Sequence, residues 1–315
     1  MPSLRHHLDL GESALKDGPH PEIARRDAEL LLMHILERNR AWLIAHDDEL
    51  LADNLYVSYE ELLERRRRGE PIQYITGETE FYGLPFCVTP DVLIPRPETE
   101  HLVEKVLELA AQMHDAGAKA RQNVSAVTAR LKSCPDTKHY DPAATKSIQI
   151  VDVGTGSGAI AVALAHKLPQ ASITATDISS RALTLAAENA KRNGVAVRFV
   201  AGDLLAPVAG ERFEIIVSNP PYVAMVDRDS LDVEVREYEP ALALFAGEDG
   251  LDVYRRLIPA AFDALTSGGF VALEIGYGQS AAIAELLARG GFERIEFVPD
   301  LRDIPRVACA QRPSN

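Results

Sequence analysis

The stretch Ile148-Gln-Ile-Val-Asp152-Val-Gly154-Thr-Gly156-Ser-Gly158 decides how the second half of the chain folds. Ile148, Ile150, Val151 and Val153 make its first half an apolar, β-branched strand. Three glycines at alternate positions follow, and a residue without Cβ lets another group approach the main chain closely. Ala159 to Lys167 then reads as a helix. This strand, glycine loop and helix open an alternation that runs towards the end of the chain, the pattern of a parallel sheet with helices on its faces.

Strands are expected near Ile148–Val153, Ser172–Thr176, Val197–Ala201, Phe213–Ser218, Gly269–Ile275 and Arg294–Val298, with an antiparallel last strand near Arg306–Ala310. Helices are expected over Ala159–Lys167, Ser180–Asn193, Gly250–Leu265 and Gln279–Arg289. The sequence thus predicts an α/β domain over residues 98–315, preceded by a β-hairpin and linker at 71–97, where aromatic and β-branched residues are broken by Gly and Pro. Residues 1–70 read as a small all-helical domain suited to docking a partner. In it, Pro21 to Arg38 carries Ile23, Ala24, Ala28, Leu31, Leu32 and Ile35 at helical spacing, with Asp27 and Glu29 facing outward. Ser58, with Glu61 three residues on, has the pattern of a helix start. The stretch 112–147 is poorly patterned and reads as a mobile surface insertion.

With 315 residues, 46% apolar and 25% charged, the chain has ordinary globular composition. No stretch approaches the ~20 consecutive apolar residues of a membrane span, and Met1 to Lys16 has no apolar signal-peptide core. Cys87, Cys134 and Cys309 are far apart, which indicates neither a disulfide framework nor a zinc site, and no metal is expected. A cytoplasmic protein with free thiols is the economical reading. The formal charge of −14 is the reverse of what a nucleic-acid binder usually shows. The basic run Arg65-Arg-Arg-Arg68 is read as a helix end, where cations complement the helix dipole. Monomer is the default oligomeric state.

Residues at the ends of the next two strands give the glycine loop its meaning. Asp177 closes the next strand, where a carboxylate can take both hydroxyls of an adenosine ribose. The third strand ends in Gly202-Asp203-Leu204, an acid and an apolar residue placed to bracket an adenine. Dinucleotide enzymes share the first two features, but here the glycine spacing is Gly-x-Gly-x-Gly, Asp152 precedes the loop, and no hydride-transfer apparatus is visible. S-adenosylmethionine fits better, with Asp152, Gly154, Thr155, Gly156, Ser157, Gly158, Asp177, Asp203, Leu204 and Asn219 as its candidate contacts. Asp152 is assigned to ordering the glycine loop or the methionine end rather than to chemistry.

The fourth strand stops at Asn219-Pro-Pro-Tyr222, because two prolines lack N–H groups and fix φ near −65°. The residue before a proline is pushed out of the helical region. Such a turn presents the Asn219 carboxamide and the Pro220 carbonyl beyond the strand's carboxyl end, where open α/β sheets bind ligands. Two acceptors side by side over the Tyr222 ring suit a planar –NH2 group, a poor nucleophile whose lone pair must be aimed. Asn219, Pro220, Pro221 and Tyr222 are therefore the candidate catalytic and substrate-binding residues, joined by Arg96, which two flanking prolines hold in place. With no general base evident, the expected chemistry is a single in-line methyl transfer governed by orientation.

Taken together, Asp27-Ala-Glu-Leu-Leu31, Pro71-Ile-Gln-Tyr-Ile-Thr-Gly77, Ile94-Pro-Arg-Pro-Glu-Thr-Glu100, Asp152 to Gly158, Ser218 to Tyr222, Tyr238-Glu-Pro240, Gly247-Glu-Asp-Gly250 and Glu274-Ile-Gly276 closely resemble the bacterial peptide-chain release-factor glutamine N5-methyltransferases, the PrmC/HemK family. The resemblance implies a seven-strand class I methyltransferase domain, Rossmann-like in fold, behind a helical N-terminal domain. It implies that Gly154 to Gly158, Asp177 and Leu204 line S-adenosylmethionine, and that Asn219 to Tyr222 hold the glutamine of a release factor's Gly-Gly-Gln loop. The 112–147 stretch is longer than the family pattern, and Leu204 stands where some members carry an aromatic. Glutamine methyltransferases of ribosomal proteins share the turn, but would be expected to carry Pro-Arg-Ser-Pro where this chain has Pro95-Arg-Pro-Glu98. Methyltransferases acting on nucleic-acid bases use a similar tetrapeptide, but the charge opposes that reading and no direct nucleic-acid binding is expected. A catalytically silent binding module of the same fold would not need Asp177 and Asn219 together.

Overall fold

The computed structural model describes residues 2–114 and 147–314. Most of the expected insertion at 112–147 therefore lies outside the described residues, as do Cys134 and His139. The chain divides into two units.

The first unit comprises Met1–Thr79, Cys87–Ile94 and Val226–Leu244. Its helices are α1 (Leu4–Leu15), α2 (Ala24–Leu36), α3 (Arg40–Ala45), α4 (Asp53–Arg67) and α5 (Ile72–Thr76). Leu4, Leu8, Leu31, Leu32, Leu43, Tyr59 and Leu63 form its core. Gly11 sits inside α1 because a Cβ there would lie 2.4 Å from the Tyr59 hydroxyl, which donates to the Ala28 carbonyl at 3.1 Å. That fit accompanies a helix-propensity cost of about 1 kcal/mol.

Three expectations for this unit need correction. Asp27 does not face outward: it is 3% exposed and accepts from Arg66 Nε at 2.6 Å. Ser58 does not start a helix, because α4 begins at Asp53 and the Ser58 hydroxyl donates back to the Asn54 carbonyl at 3.3 Å. Ile72 to Thr76 is helical rather than extended, stopped by Gly77 in the left-handed region. The hairpin follows as β1 (Glu78–Phe81) and β2 (Leu84–Cys87), turned by Tyr82 and Gly83, both with positive φ, as a two-residue hairpin turn requires.

The second unit comprises Glu80–Phe86, Pro95–Met225 and Phe245–Asn315. A short 3-10 turn at Pro97–Thr99 leads into helix α6, which covers 100–114 of the described chain. There follow β3 (Gln149–Val153), α7 (Ala159–Lys167), β4 (Ser172–Asp177), α8 (Ser180–Arg192), β5 (Arg198–Ala201) and β6 (Phe213–Ser218). In the first unit's segment the chain forms α9 (Val233–Tyr238) and α10 (Ala241–Leu244), which the sequence pattern did not announce. It then continues through α11 (Asp252–Ala264), β7 (Leu265–Glu274), α12 (Ser280–Arg289), β8 (Glu293–Pro299) and β9 (Pro305–Gln311).

The seven strands lie in the order β5-β4-β3-β6-β7-β9-β8, with β9 antiparallel to both neighbours and the other pairings parallel. Side chains alternate across the sheet. Ile150, Ile215 and Val217 pack with α6 and α7, while Val151, Ile216 and Val271 pack with α11 and α12. Covering both faces explains why these strands read as continuous apolar runs rather than alternating ones. The strand order reverses between β3 and β6, and at such a switch point the loops beyond the two strand ends diverge and leave a crevice.

Candidate active site

Register brings the strand ends that carry the sequence-predicted residues, Arg96 excepted, to one edge of the sheet. Asp152 of β3 stands level with Val217 of β6, so the glycine loop and Asn219 leave the sheet together. Asp177 stands level with Ala201, which brings Gly202 to Leu204 to the same edge. Ser218 pairs with Leu273, so Asn219 emerges beside Glu274.

The loop after β3 is shaped by its neighbours. Gly154 and Thr155 donate to the Thr176 carbonyl at 2.8 and 3.0 Å, and Gly156 N donates to Asp177 Oδ2 at 2.9 Å. Gly154 and Gly156 have φ of 73° and 55°, and a Cβ on either would meet no atom within 4 Å, so this backbone faces open space. Gly158 differs: a Cβ there would press on Ala186 of α8 at 3.0 Å. The other Asp177 oxygen accepts from Ser179 N at 2.8 Å, so two main-chain amides fix the carboxylate beyond β4. Leu204 adopts φ of 50°, rare for a residue with a γ-branched side chain, and its carbonyl accepts from Thr176 Oγ1 at 2.9 Å. Asp203 ion-pairs with Arg256.

Asp152 is fully buried beneath this loop and accepts from Thr155 Oγ1 at 2.6 Å. Desolvation pushes its carboxyl up to about 7, against the pull of Thr155 and the Ala161 N–H. Ser157 is buried, and its carbonyl accepts from Asn189 Nδ2 at 2.9 Å.

Across the edge, Ser218 Oγ donates to the Val153 carbonyl at 2.6 Å and ties β6 to β3 where the Asn-Pro-Pro-Tyr turn begins. Pro220 is buried, and the Tyr222 carbonyl accepts from Gln279 Nε2 at 3.0 Å. Burial and the nearby Glu274 push the Tyr222 phenol up, while the charges of Arg306 and Arg96 pull it down. Arg96 itself is extended, as its position before Pro97 requires.

Two buried residues here were not among the sequence-predicted site residues. Asn219 Nδ2 donates to Thr99 Oγ1 at 3.2 Å, and Thr99 Oγ1 donates to Glu274 Oε2 at 2.6 Å. The Tyr222 hydroxyl approaches Glu274 Oε1 at 3.4 Å, and Tyr254 donates to the Glu274 main-chain carbonyl at 2.7 Å. Thr99 and Glu274 are 4% and 2% exposed. An acid closing the apolar run Phe270-Val-Ala-Leu273 was the available signal for Glu274.

Comparison with known proteins shows which family the chain resembles. Residues 136–235 match the methyltransferase small domain family and residues 7–77 the PrmC N-terminal domain family. The release factor glutamine methyltransferase of Koribacter versatilis is 40% identical, with 96% of this chain and 98% of that protein covered. That of Moorella thermoacetica is 41% identical, with 92% of each covered. The chain belongs to the release factor glutamine methyltransferase family. Among solved structures, the hMettl16 catalytic domain superposes with a TM-score of 0.52 at 15% identity, over 84% of this chain and 83% of that one, a likeness of fold. The α/β class and the methyltransferase architecture expected from the sequence are thus both met in this family member. Among the described residues no helix is long and apolar enough to cross a membrane.

Proposed function

We propose that this methyltransferase transfers a methyl group from S-adenosylmethionine to the side-chain amide nitrogen of the glutamine in the Gly-Gly-Gln loop of translation release factors. The observation that carries the reading is the Asn219-Pro-Pro-Tyr222 turn at the carboxyl end of β6, with the Asn219 amide nitrogen held by Thr99. Family membership supports it.

The residues present fit the cofactor. Gly154 and Gly156 offer backbone with open space where a side chain would stand, and Asp177 is fixed by two amides that leave acceptor capacity on both oxygens. On this proposal Gly154 to Gly158 lie against the methionine end, Asp177 takes the ribose hydroxyls, and Asp203 and Leu204 flank the adenine. The sulfonium supplies an electrophilic methyl group when bound. Asn219 Oδ1 and the Pro220 carbonyl accept the two hydrogens of the glutamine –NH2, which aims the nitrogen lone pair, and Tyr222 packs beneath it. In taking up the methyl group the glutamine nitrogen would gain positive charge. Both acceptors then bind it more strongly than in the ground state. The methylated nitrogen loses its extra proton afterwards. On this proposal Arg96, whose charge is felt at Tyr222, holds the substrate backbone.

We further propose a monomer that binds the release factor protein directly, with residues 1–70 helping to dock it. The pairing of Arg65 with Glu70, Arg66 with Asp27 and Glu234, and Arg67 and Arg68 with Glu64 supports a surface that does not depend on nucleic acid.

The test is to incubate the protein with labelled S-adenosylmethionine and a release factor, then locate the label by mass spectrometry. One methyl group on the Gly-Gly-Gln glutamine is expected. Label on a ribosomal protein or a nucleobase instead, with the release factor unmodified, would overturn the assignment.

A further inference from the structure

We infer that Thr99 and Glu274 are positioning residues for Asn219: Glu274 sets the direction of the Thr99 hydroxyl, and Thr99 sets which end of the Asn219 carboxamide faces the reacting group. The inference rests on the role given to Asn219 above. It starts from three side chains on three segments, the end of β6, the turn before α6 and the end of β7, joined by bonds of 3.2 and 2.6 Å.

The polarity of this chain follows from donor and acceptor counts. An ionised carboxylate accepts and cannot donate, whereas a hydroxyl has a single hydrogen to give. Once Thr99 gives that hydrogen to Glu274, its oxygen can only accept, so the nitrogen end of the Asn219 carboxamide must face it. The oxygen end is thereby turned to the opposite side. The reverse orientation would set two acceptors against each other at Thr99 and would present an –NH2 to the substrate's own –NH2. One buried carboxylate thus decides, through one hydroxyl, whether Asn219 offers the substrate an acceptor or a donor.

The same logic gives the device a pH dependence. Glu274 is faced by Tyr222, Tyr254, Glu98 and Arg306. Burial pushes its carboxyl up to about 7, with Glu98 adding to the rise, while Thr99, Tyr222 and Arg306 draw it down. When the carboxyl takes a proton it becomes a donor to Thr99. The Thr99 hydrogen is then free to point at Asn219, so the carboxamide is no longer held in one orientation. Turnover should be full above this pKa and fall as pH drops through it.

The experiment compares wild type, Thr99→Val, Thr99→Ser and Glu274→Gln in steady-state methylation of a full-length release factor between pH 6 and 9. Calorimetry of S-adenosylmethionine binding and thermal melts accompany it. Val keeps the branched shape without the hydroxyl, so T99V should lose turnover by about ten- to a hundredfold, the scale seen when a supporting hydrogen-bond partner is removed. Its KM and cofactor affinity should stay within about twofold, on the view that uniform binding is untouched. T99S should recover most of the rate, and E274Q should have a flat profile through pH 7. Unchanged turnover in T99V, no recovery in T99S, or an E274Q profile like that of wild type would overturn the inference. A wild-type protein inactive on release factors would instead overturn the functional reading. A second readout stands apart from activity: the Asn219 side-chain –NH2 resonances in 15N-asparagine-labelled protein, assigned by their loss in N219A. They should shift with a midpoint near pH 7 in wild type and cease to do so in T99V. Resonances insensitive to pH in wild type would also overturn the inference.

Discussion

Asp177 and Asp152 show how differently two carboxylates on one sheet edge can be used. Asp177 is anchored by the Gly156 and Ser179 amides, whereas Asp152 is fully buried with a carboxyl pushed up to about 7. If Asp177 takes the ribose hydroxyls, Asp177→Ala should weaken S-adenosylmethionine binding by about 1.5–3 kcal/mol, the scale of hydrogen bonds to a charged group. Calorimetry that finds the affinity unchanged would remove that role. For Asp152, a folded-state pKa above the unfolded value means the native state holds the proton more tightly, so its contribution to stability declines as pH rises from about 4 to 7. Urea unfolding should therefore show Asp152→Asn gaining on wild type between pH 5 and 8, and a constant difference over that range would contradict the assignment. The strand-end positions of Asp177 and Asn219 were legible in the sequence because each lies inside a compact local motif. Thr99 and Glu274 were not, because their bond joins positions 175 residues apart and only the register of β6 on β7 brings Glu274 beside Asn219.

Among the elements, the glycine loop and its helix depend on a close approach. Gly158 combines φ of 82° with a prospective Cβ contact of 3.0 Å to Ala186. Gly158→Ala should cost about 1–3 kcal/mol in unfolding free energy, from left-handed strain on a residue with a Cβ. Gly154 and Gly156, with open space beside them, should lose cofactor affinity on substitution by larger residues in addition to their share of that strain. A melt in which G158A matches wild type would show that α7 and α8 can separate freely. The buried strands and their helices were legible because apolar runs bounded by Gly and Asp leave few alternatives; Phe213–Ser218 and Ala159–Lys167 fall where the pattern placed them. Where structure departs from pattern at Asp27 and Ser58, the residues are polar and the cause lies outside their local sequence. Asp27 looked outward by composition because nothing local announces Arg66, and Ser58 looked like a cap because Glu61 lies three residues on.

Across the molecule, the first unit is discontinuous, and a buried ion network spans its pieces. Arg66, 4% exposed, pairs with Asp27 of α2 and with Glu234 of α9. Removing one partner of a buried pair leaves uncompensated charge, so Arg66→Ala should cost about 3–5 kcal/mol. If denaturant unfolding of R66A differs from wild type by under about 1 kcal/mol, the network behaves like a surface pair. If Asn219 grips an unreactive amide nitrogen and directs its lone pair at a methyl donor, as proposed, its loss should fall on turnover and not on cofactor binding. The most direct measurement is turnover of Asn219→Ala on a release factor, with S-adenosylmethionine affinity measured on the same preparation. A loss on the order of 10²–10³ in turnover is expected, as for removal of one preorganised transition-state hydrogen bond, with cofactor affinity little changed. Near-normal turnover in N219A would contradict it.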